Sequence, residues 1–134
     1  MLINLSNHHS QNWSEDQKNA ANQLFKRIID LPFPDIDPSA SIEEVIELAQ
    51  RFKLKCMKLF DNEQENYLDK HNAVHVMGEM TFTYNLVFLL HQEFIRTVAS
   101  ATEQVANEDN SGIKTSVFRF KRFRSFHIEN NLVF

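Results

Sequence analysis

Glycine is nearly missing from this 134-residue chain, which has only Gly78 and Gly112. A dinucleotide fingerprint or a P-loop needs several glycines so that the backbone can approach a phosphate, so neither a nicotinamide enzyme nor a P-loop hydrolase is expected. Cysteine is scarcer still. Cys56 stands alone, cannot close an intramolecular disulfide and belongs to no paired Cys/His spacing of a zinc site, which fits a reducing compartment. There is no Gly-x-Ser-x-Gly elbow and no His-Glu-x-x-His, so the signatures of α/β-hydrolases and zinc peptidases are absent. No metal and no cofactor is expected. No apolar run is long enough to span a membrane, and the opening Met1-Leu2-Ile3-Asn4-Leu5 carries no basic leader; the expectation is a cytoplasmic protein without a membrane segment.

The rest of the composition is that of a globular domain: 43% of residues are apolar and 24% charged. The length suits one hydrophobic core, a single domain over residues 1–134. The net charge of −4 is uneven, because residues 113–134 hold Lys114, Arg119, Lys121, Arg122 and Arg124 against Glu129, a local +4 that leaves −8 on residues 1–112. An acidic body is a poor surface for duplex DNA, whose non-specific affinity comes mainly from neutralising phosphates. A small phosphate ligand held by backbone amides needs no net positive charge.

Leu2, Ile3 and Leu5 form a short apolar run suited to a strand buried on both faces. Ser14-Glu15-Asp16-Gln17 reads as a capping box, with the Gln17 side chain returning to the cap, and opens a helix whose apolar stripe is Ala20, Ala21, Leu24, Phe25 and Ile28. Ile28-Ile29-Asp30-Leu31 reads as a second strand, stopped by Pro32 and Pro34. Ser41-Ile42-Glu43-Glu44 opens a second helix, with the stripe Ile42, Val45, Ile46, Ala49 and Phe52, continuing towards Cys56 and Leu59. Residues 61–72 read as exposed loop or helix end. Residues 73–77 are a third strand, after which Gly78 lets the backbone turn and Thr81 or Thr83 starts a strongly apolar third helix. Residues 95–100 are a fourth strand and residues 107–112 a turn. Beyond it Val117, Phe118, Phe120, Phe123 and Phe126 alternate with basic residues like a half-exposed strand. Together these predict an α/β fold, a small Rossmann-like, mostly parallel open sheet with helices on both faces and an antiparallel edge strand.

In such a sheet ligands collect where strands end and helices begin. Three polar segments are expected there: Ser6-Asn7-His8-His9, Gly78-Glu79-Met80-Thr81 and Ser100-Ala101-Thr102-Glu103. Their hydroxyls and amides suit phosphate oxygens and ribose hydroxyls, so Ser6, Asn7, Gly78, Thr81, Ser100 and Thr102 are candidate ligand-binding residues. Singly each has a plain structural reading. Ser6 and Asn7 make an Asx-type turn, and Thr81 and Thr102 cap helices. His8 and Glu79 are the candidate acid–base groups, although for Glu79 pairing with a helix dipole is as good a reading. His75, inside a strand, reads as a hydrogen-bonded interior histidine; His71, His91 and His127 read as surface residues. The Arg119, Lys121, Arg122 and Arg124 cluster reads as the guarded face of an edge strand before it reads as a phosphodiester site.

Asn4-Leu5-Ser6-Asn7-His8, Trp13-Ser14, Asp30-Leu31-Pro32-Phe33-Pro34, the segment from His75 to Thr83, Val98-Ala99-Ser100 and Phe123-Arg124 resemble a family of small uncharacterised bacterial proteins. That family looks like the single-domain Rossmann-like accessory proteins of type III CRISPR systems, related in architecture to CRISPR-associated Rossmann-fold sensors and ring nucleases. The resemblance implies a homodimer that binds a cyclic oligonucleotide, cyclic oligoadenylate, in prokaryotic antiviral defence. It further implies a metal-independent phosphodiesterase acting by in-line attack of a ribose 2′-hydroxyl, with protein groups that orient and stabilise charge. The family tends to carry Ser-Thr-Thr-Glu-Arg after the fourth strand, whereas this chain has Ser100-Ala101-Thr102-Glu103-Gln104; loss of that arginine favours binding over catalysis. The alternatives are a non-enzymatic interaction module using the apolar third helix and the basic strand, or an enzyme acting on another nucleotide.

Overall fold

The computed structural model describes residues 1–127; Glu129, counted in the C-terminal charge, lies outside them. The elements in order are β1 (Leu2–Ser6), a 3-10 turn (Ser10–Asn12), α1 (Glu15–Phe25), β2 (Ile28–Asp30), α2 (Ile42–Asn62), β3 (Ala73–Met77), α3 (Met80–Gln92), β4 (Arg96–Glu108) and β5 (Lys114–Ser125). The sheet order is β2-β1-β3-β4-β5. The first four strands are parallel and β5 is antiparallel to β4. This is a Rossmann-like open sheet of doubly wound order, with its topological switch between β1 and β3.

Period-two alternation gives the sheet two different faces. Ile3, Leu5, Val74 and Val76 point towards α2 and α3 and meet Val45, Ala49, Phe52, Cys56, Phe60, Phe82, Leu86 and Leu90 in one buried core. Leu2, Ala73 and Val98 point the other way, against Trp13, Ala21 and Phe25 of the α1 side. Fully burying a side chain such as Phe82 or Leu86 contributes about 1.5–3 kcal/mol. The long helix α2 reaches Asn62 because its apolar stripe continues through the buried Cys56 and Phe60.

Both serine caps form: Ser14 Oγ accepts from the Gln17 amide and Ser41 Oγ from the Glu44 amide. The Gln17 side chain, however, donates to Ser100 Oγ at 2.9 Å instead of returning to its cap, since the sheet offers a better acceptor. The α1 stripe is also shorter than its spacing implies. The helix ends at Phe25, Leu24 is half exposed, and Ile28 belongs to β2. The start of α3 differs as well: Glu79, not a threonine, is its cap.

The largest departure is at β4. It runs 13 residues instead of six, pairing with β3 only over Arg96–Val98 and thereafter with β5 as far as Glu108. Residues Ser100 and Thr102 therefore lie inside a strand, and Thr102 caps no helix. The hairpin overhangs the carboxyl edge of the parallel strands. A bulge between Ala101 and Thr102 shifts its register, and the turn closes on Asp109, whose carboxylate accepts from Ser111 and Ile113, with Gly112 at φ +80°.

Candidate functional site

The α1 face of the sheet turns polar towards the carboxyl ends of its strands. Leu2 is followed on the same face by Asn4 and Ser6, and Ala73 by His75; the register sets Asn4 beside Asp30 on one side and His75 on the other, with Val98 next to His75. Ser100, two residues beyond Val98, comes next on that face. Asn4, Ser6 and His75 are buried, and buried polar groups of this kind are costly unless paired.

They are paired in one continuous chain. Asn4 Nδ2 donates to Asp30 Oδ1 at 2.7 Å and to the His8 carbonyl at 2.8 Å. Asn4 Oδ1 lies 2.8 Å from Ser6 Oγ and 2.9 Å from His75 Nδ1. His75 Nε2 lies 2.7 Å from Ser100 Oγ, which also receives Gln17 Nε2. The rings of Trp13 and Phe123 stand edge-on to the imidazole, with centroids 5.3 and 5.7 Å away. Burial in this ring-lined slot lowers the His75 pKa to about 4, so the imidazole is neutral at physiological pH. Burial works to raise the Asp30 pKa, but the hydrogen bonds from the Ser10 hydroxyl and amide and from Asn4 outweigh it and hold the carboxyl below its usual range.

Above this network, at the switch between β1 and β3, lies a cleft of about 550 Å³, within the usual range of about 300–1,000 Å³ for small-molecule sites. Its lining is Ser6, Asn7, His8, Asn12, Trp13, Ser14, Gln17, His75, Met77, Gly78, Ser100, Thr102, Phe118 and Phe120. The overhanging β4–β5 hairpin supplies the last three as a wall. No Asp, Glu, Lys or Arg is among these residues. A smaller recess of about 250 Å³ adjoins it across Ser6 and Asn7, between Asp30, Leu31 and Phe33.

Of the residues expected from the sequence, Ser6, Asn7, His8, Gly78, Ser100 and Thr102 share the cleft; Glu79 and Thr81 do not line it. Glu79 is engaged with its own helix. Its carboxylate accepts from the Phe82 and Thr81 amides and the Thr81 hydroxyl, and those bonds, the Phe82 amide first, lower its pKa. Gly78 also has a different reason for being glycine. Its φ is not in the left-handed region; instead a Cβ there would overlap the Phe33 ring, which packs against Phe82. His91 is half-buried, with Nε2 2.6 Å from Thr97 Oγ1.

Sequence reasoning passed over Asn4, Asn12, Trp13, Gln17, Phe118 and Phe120 as site residues, and read His75 as interior only. A signal was present for two of them: Asn4 and His75 are the polar interruptions in otherwise buried strands, and each must have a partner. Gln17 carried none, because its contact with Ser100 is 83 residues away. Among the described residues no group of three or more His, Cys, Asp or Glu is placed to hold a metal ion, and no helix is long and apolar enough to cross a membrane.

The fold and cleft define a Rossmann-like α/β domain with an open cleft at the sheet switch point. The chain belongs to the Uncharacterized protein MJ1673 family, whose model matches residues 1–124. No curated protein and no solved structure matches the chain.

Proposed function

We propose that this protein binds a nucleotide in the cleft at the carboxyl edge of its sheet, and that the ligand is a cyclic oligoadenylate of prokaryotic antiviral defence, held between the two copies of a homodimer. One observation carries the nucleotide part: Ser6, Asn7, His8, Gly78, Ser100 and Thr102 meet in a single cleft walled by Trp13, Phe118 and Phe120. The exposed Phe118 ring offers a surface for adenine, the hydroxyls and amides suit ribose and phosphate oxygens, and no lining carboxylate repels a phosphodiester. The resemblance to type III CRISPR accessory proteins supplies the ring. With no Lys or Arg on the lining, charge developing on a phosphorus centre has little to stabilise it, so binding is favoured over ring cleavage.

Trp13 is the only tryptophan and lines the cleft, so its fluorescence reports occupancy. Titration with cyclic tetra-adenylate and cyclic hexa-adenylate should change it saturably, with chromatography resolving any linear product. Neither binding nor cleavage of either ring would refute the reading.

A second reading rests on α3. Its 13 residues include no Asp, Glu, Lys or Arg, and Met80, Tyr84 and Phe88, spaced four apart, are exposed by 81%, 71% and 53%. Such an uncharged apolar stripe suits a protein interface, either the dimer contact or that of a non-enzymatic interaction module. Light scattering of the purified chain and of Tyr84→Glu separates these, because a dimer built on α3 becomes monomeric in the variant.

A further inference from the structure

The polar chain beneath the cleft has the arrangement of an activated nucleophile. Ser100 lines the cleft, its Oγ lies 2.7 Å from His75 Nε2, and His75 Nδ1 lies 2.9 Å from Asn4 Oδ1. An asparagine in the orienting position of a serine triad is damaging, by about 10⁴ in rate, when its amide nitrogen faces the imidazole and stabilises the wrong tautomer. Here that orientation is blocked. Asn4 Nδ2 already faces two acceptors, Asp30 Oδ1 and the His8 carbonyl, so Oδ1 must face His75. An amide oxygen only accepts, so Nδ1 carries the imidazole proton and Nε2 presents a lone pair to the Ser100 hydroxyl. Gln17 Nε2 also donates to Ser100 Oγ, so the hydroxyl accepts there and its own proton is left to give to the imidazole.

We propose that Ser100 is a catalytic nucleophile with His75 as its general base, that Asn4 and Asp30 are positioning residues, and that the substrate class is an uncharged carboxylic ester. The uncharged lining selects the class of reaction: attack on a neutral carbonyl needs no cationic clamp, whereas cleavage of a phosphodiester does. In the first step Ser100 Oγ bonds to the carbonyl carbon as its proton passes to His75 Nε2. The carbon–oxygen bond to the alcohol then breaks, and the alcohol leaves with that proton. Water repeats the sequence on the acyl-serine, releasing the carboxylic acid and restoring the hydroxyl. The proposal goes beyond nucleotide binding and does not rest on it, since ring binding can fail while Ser100 reacts.

The test uses the full chain and diisopropyl fluorophosphate, an uncharged probe from whose phosphorus a serine hydroxyl displaces fluoride, leaving a diisopropylphosphoryl group on the oxygen. Intact mass and peptide mapping should show a single adduct on Ser100, absent from Ser100→Ala, and His75→Gln should label on the order of a hundredfold more slowly. No adduct, an adduct elsewhere, or equal labelling of His75→Gln overturns the proposal. Because His75 is buried and its variant can fail to fold, nitrogen-15 spectra of wild-type His75 give a second decision: a proton on Nε2 overturns the assignment. Asn4→Asp combined with Asp30→Asn tests positioning, because Asn4→Asp alone removes the Nδ2 donor to Asp30 Oδ1 and the His8 carbonyl, and the second change returns a donor between positions 4 and 30. A carboxylate beside the imidazole raises its basicity, so the acid limb of the labelling rate should move to higher pH, and an unmoved limb overturns the positioning role. Turnover of p-nitrophenyl butyrate supports the ester class; turnover of bis(p-nitrophenyl) phosphate alone overturns it.

Discussion

The two faces of the central sheet are built from the same strands and follow opposite rules. Towards α2 and α3 the two central strands present Ile3, Leu5, Val74 and Val76, apolar from end to end, and Thr97 of β4, beside Val74, is bonded to His91 of α3. Towards α1 the sheet is apolar only at the amino ends of the strands, with Leu2, Ala73 and Val98, and then becomes Asn4, Ser6, His75 and Ser100. The first face holds the fold together. The second gives up apolar burial at its carboxyl end and replaces it with a fully bonded polar chain beneath an open cleft. A buried polar cluster is tolerated only when each member is satisfied, and the bonds from Asp30 through Asn4 and His75 to Ser100 satisfy this one.

Breaking the apolar face should cost most. Phe82 is fully buried and meets Phe33 and Phe52 edge-on. Phe82→Ala should lower the unfolding free energy by about 3–5 kcal/mol in urea titrations, through lost transfer energy and the cavity left behind.

The polar face should instead reveal itself through pH. His75 binds a proton near pH 6.5 when unfolded but only at about 4 when folded, because burial disfavours the charged ring. Between those values the unfolded state takes up more protons. Stability is therefore retained above about pH 6.5 and falls as pH drops from there towards 4, by about 3 kcal/mol for this group alone. A His75→Gln variant that still folds should lose this part of the slope, and an unchanged slope in chemical denaturation at stepped pH would contradict the assignment.

The seam between the faces should give the smallest effect. Gly78 lies at the mouth of the cleft against Phe33, which belongs to the apolar side. Gly78→Ala should cost about 1–3 kcal/mol through displacement of that ring, read as a lower thermal midpoint. A neutral result would mean that Phe33 moves aside freely.

Much of the scaffold was legible in the residues. Strand and helix alternated as the periodicities required, residues 73–77 were read to the residue, and Ser14 and Ser41 capped the helices they preceded. The basic Phe-rich segment is the antiparallel edge strand it resembled. The site was half legible. Polar residues at the ends of β1 and β3 were found, because a strand that stops being apolar announces its end. The continuation of β4 beyond Ser100, through Thr102 to Glu108, was hidden, since its outer half is largely exposed and pairs only with β5. Glu79 was read as a candidate base with a helix role as its equal, and the helix holds it, since a carboxylate one residue before a helix satisfies two of its free amides.

What the sequence determined by itself was local: the order of strands and helices, the serine caps that open the first two helices, and which residues of one strand share a face. Period and capping chemistry act over a few residues, so they can be read from a few residues. The tertiary structure alone decided that Asn4 stands between Asp30 and His75, that Gln17 reaches Ser100, and that Phe118 and Phe120 close the cleft. Those meetings depend on strand register and on the overhang of one hairpin, which are set by pairing between segments tens of residues apart.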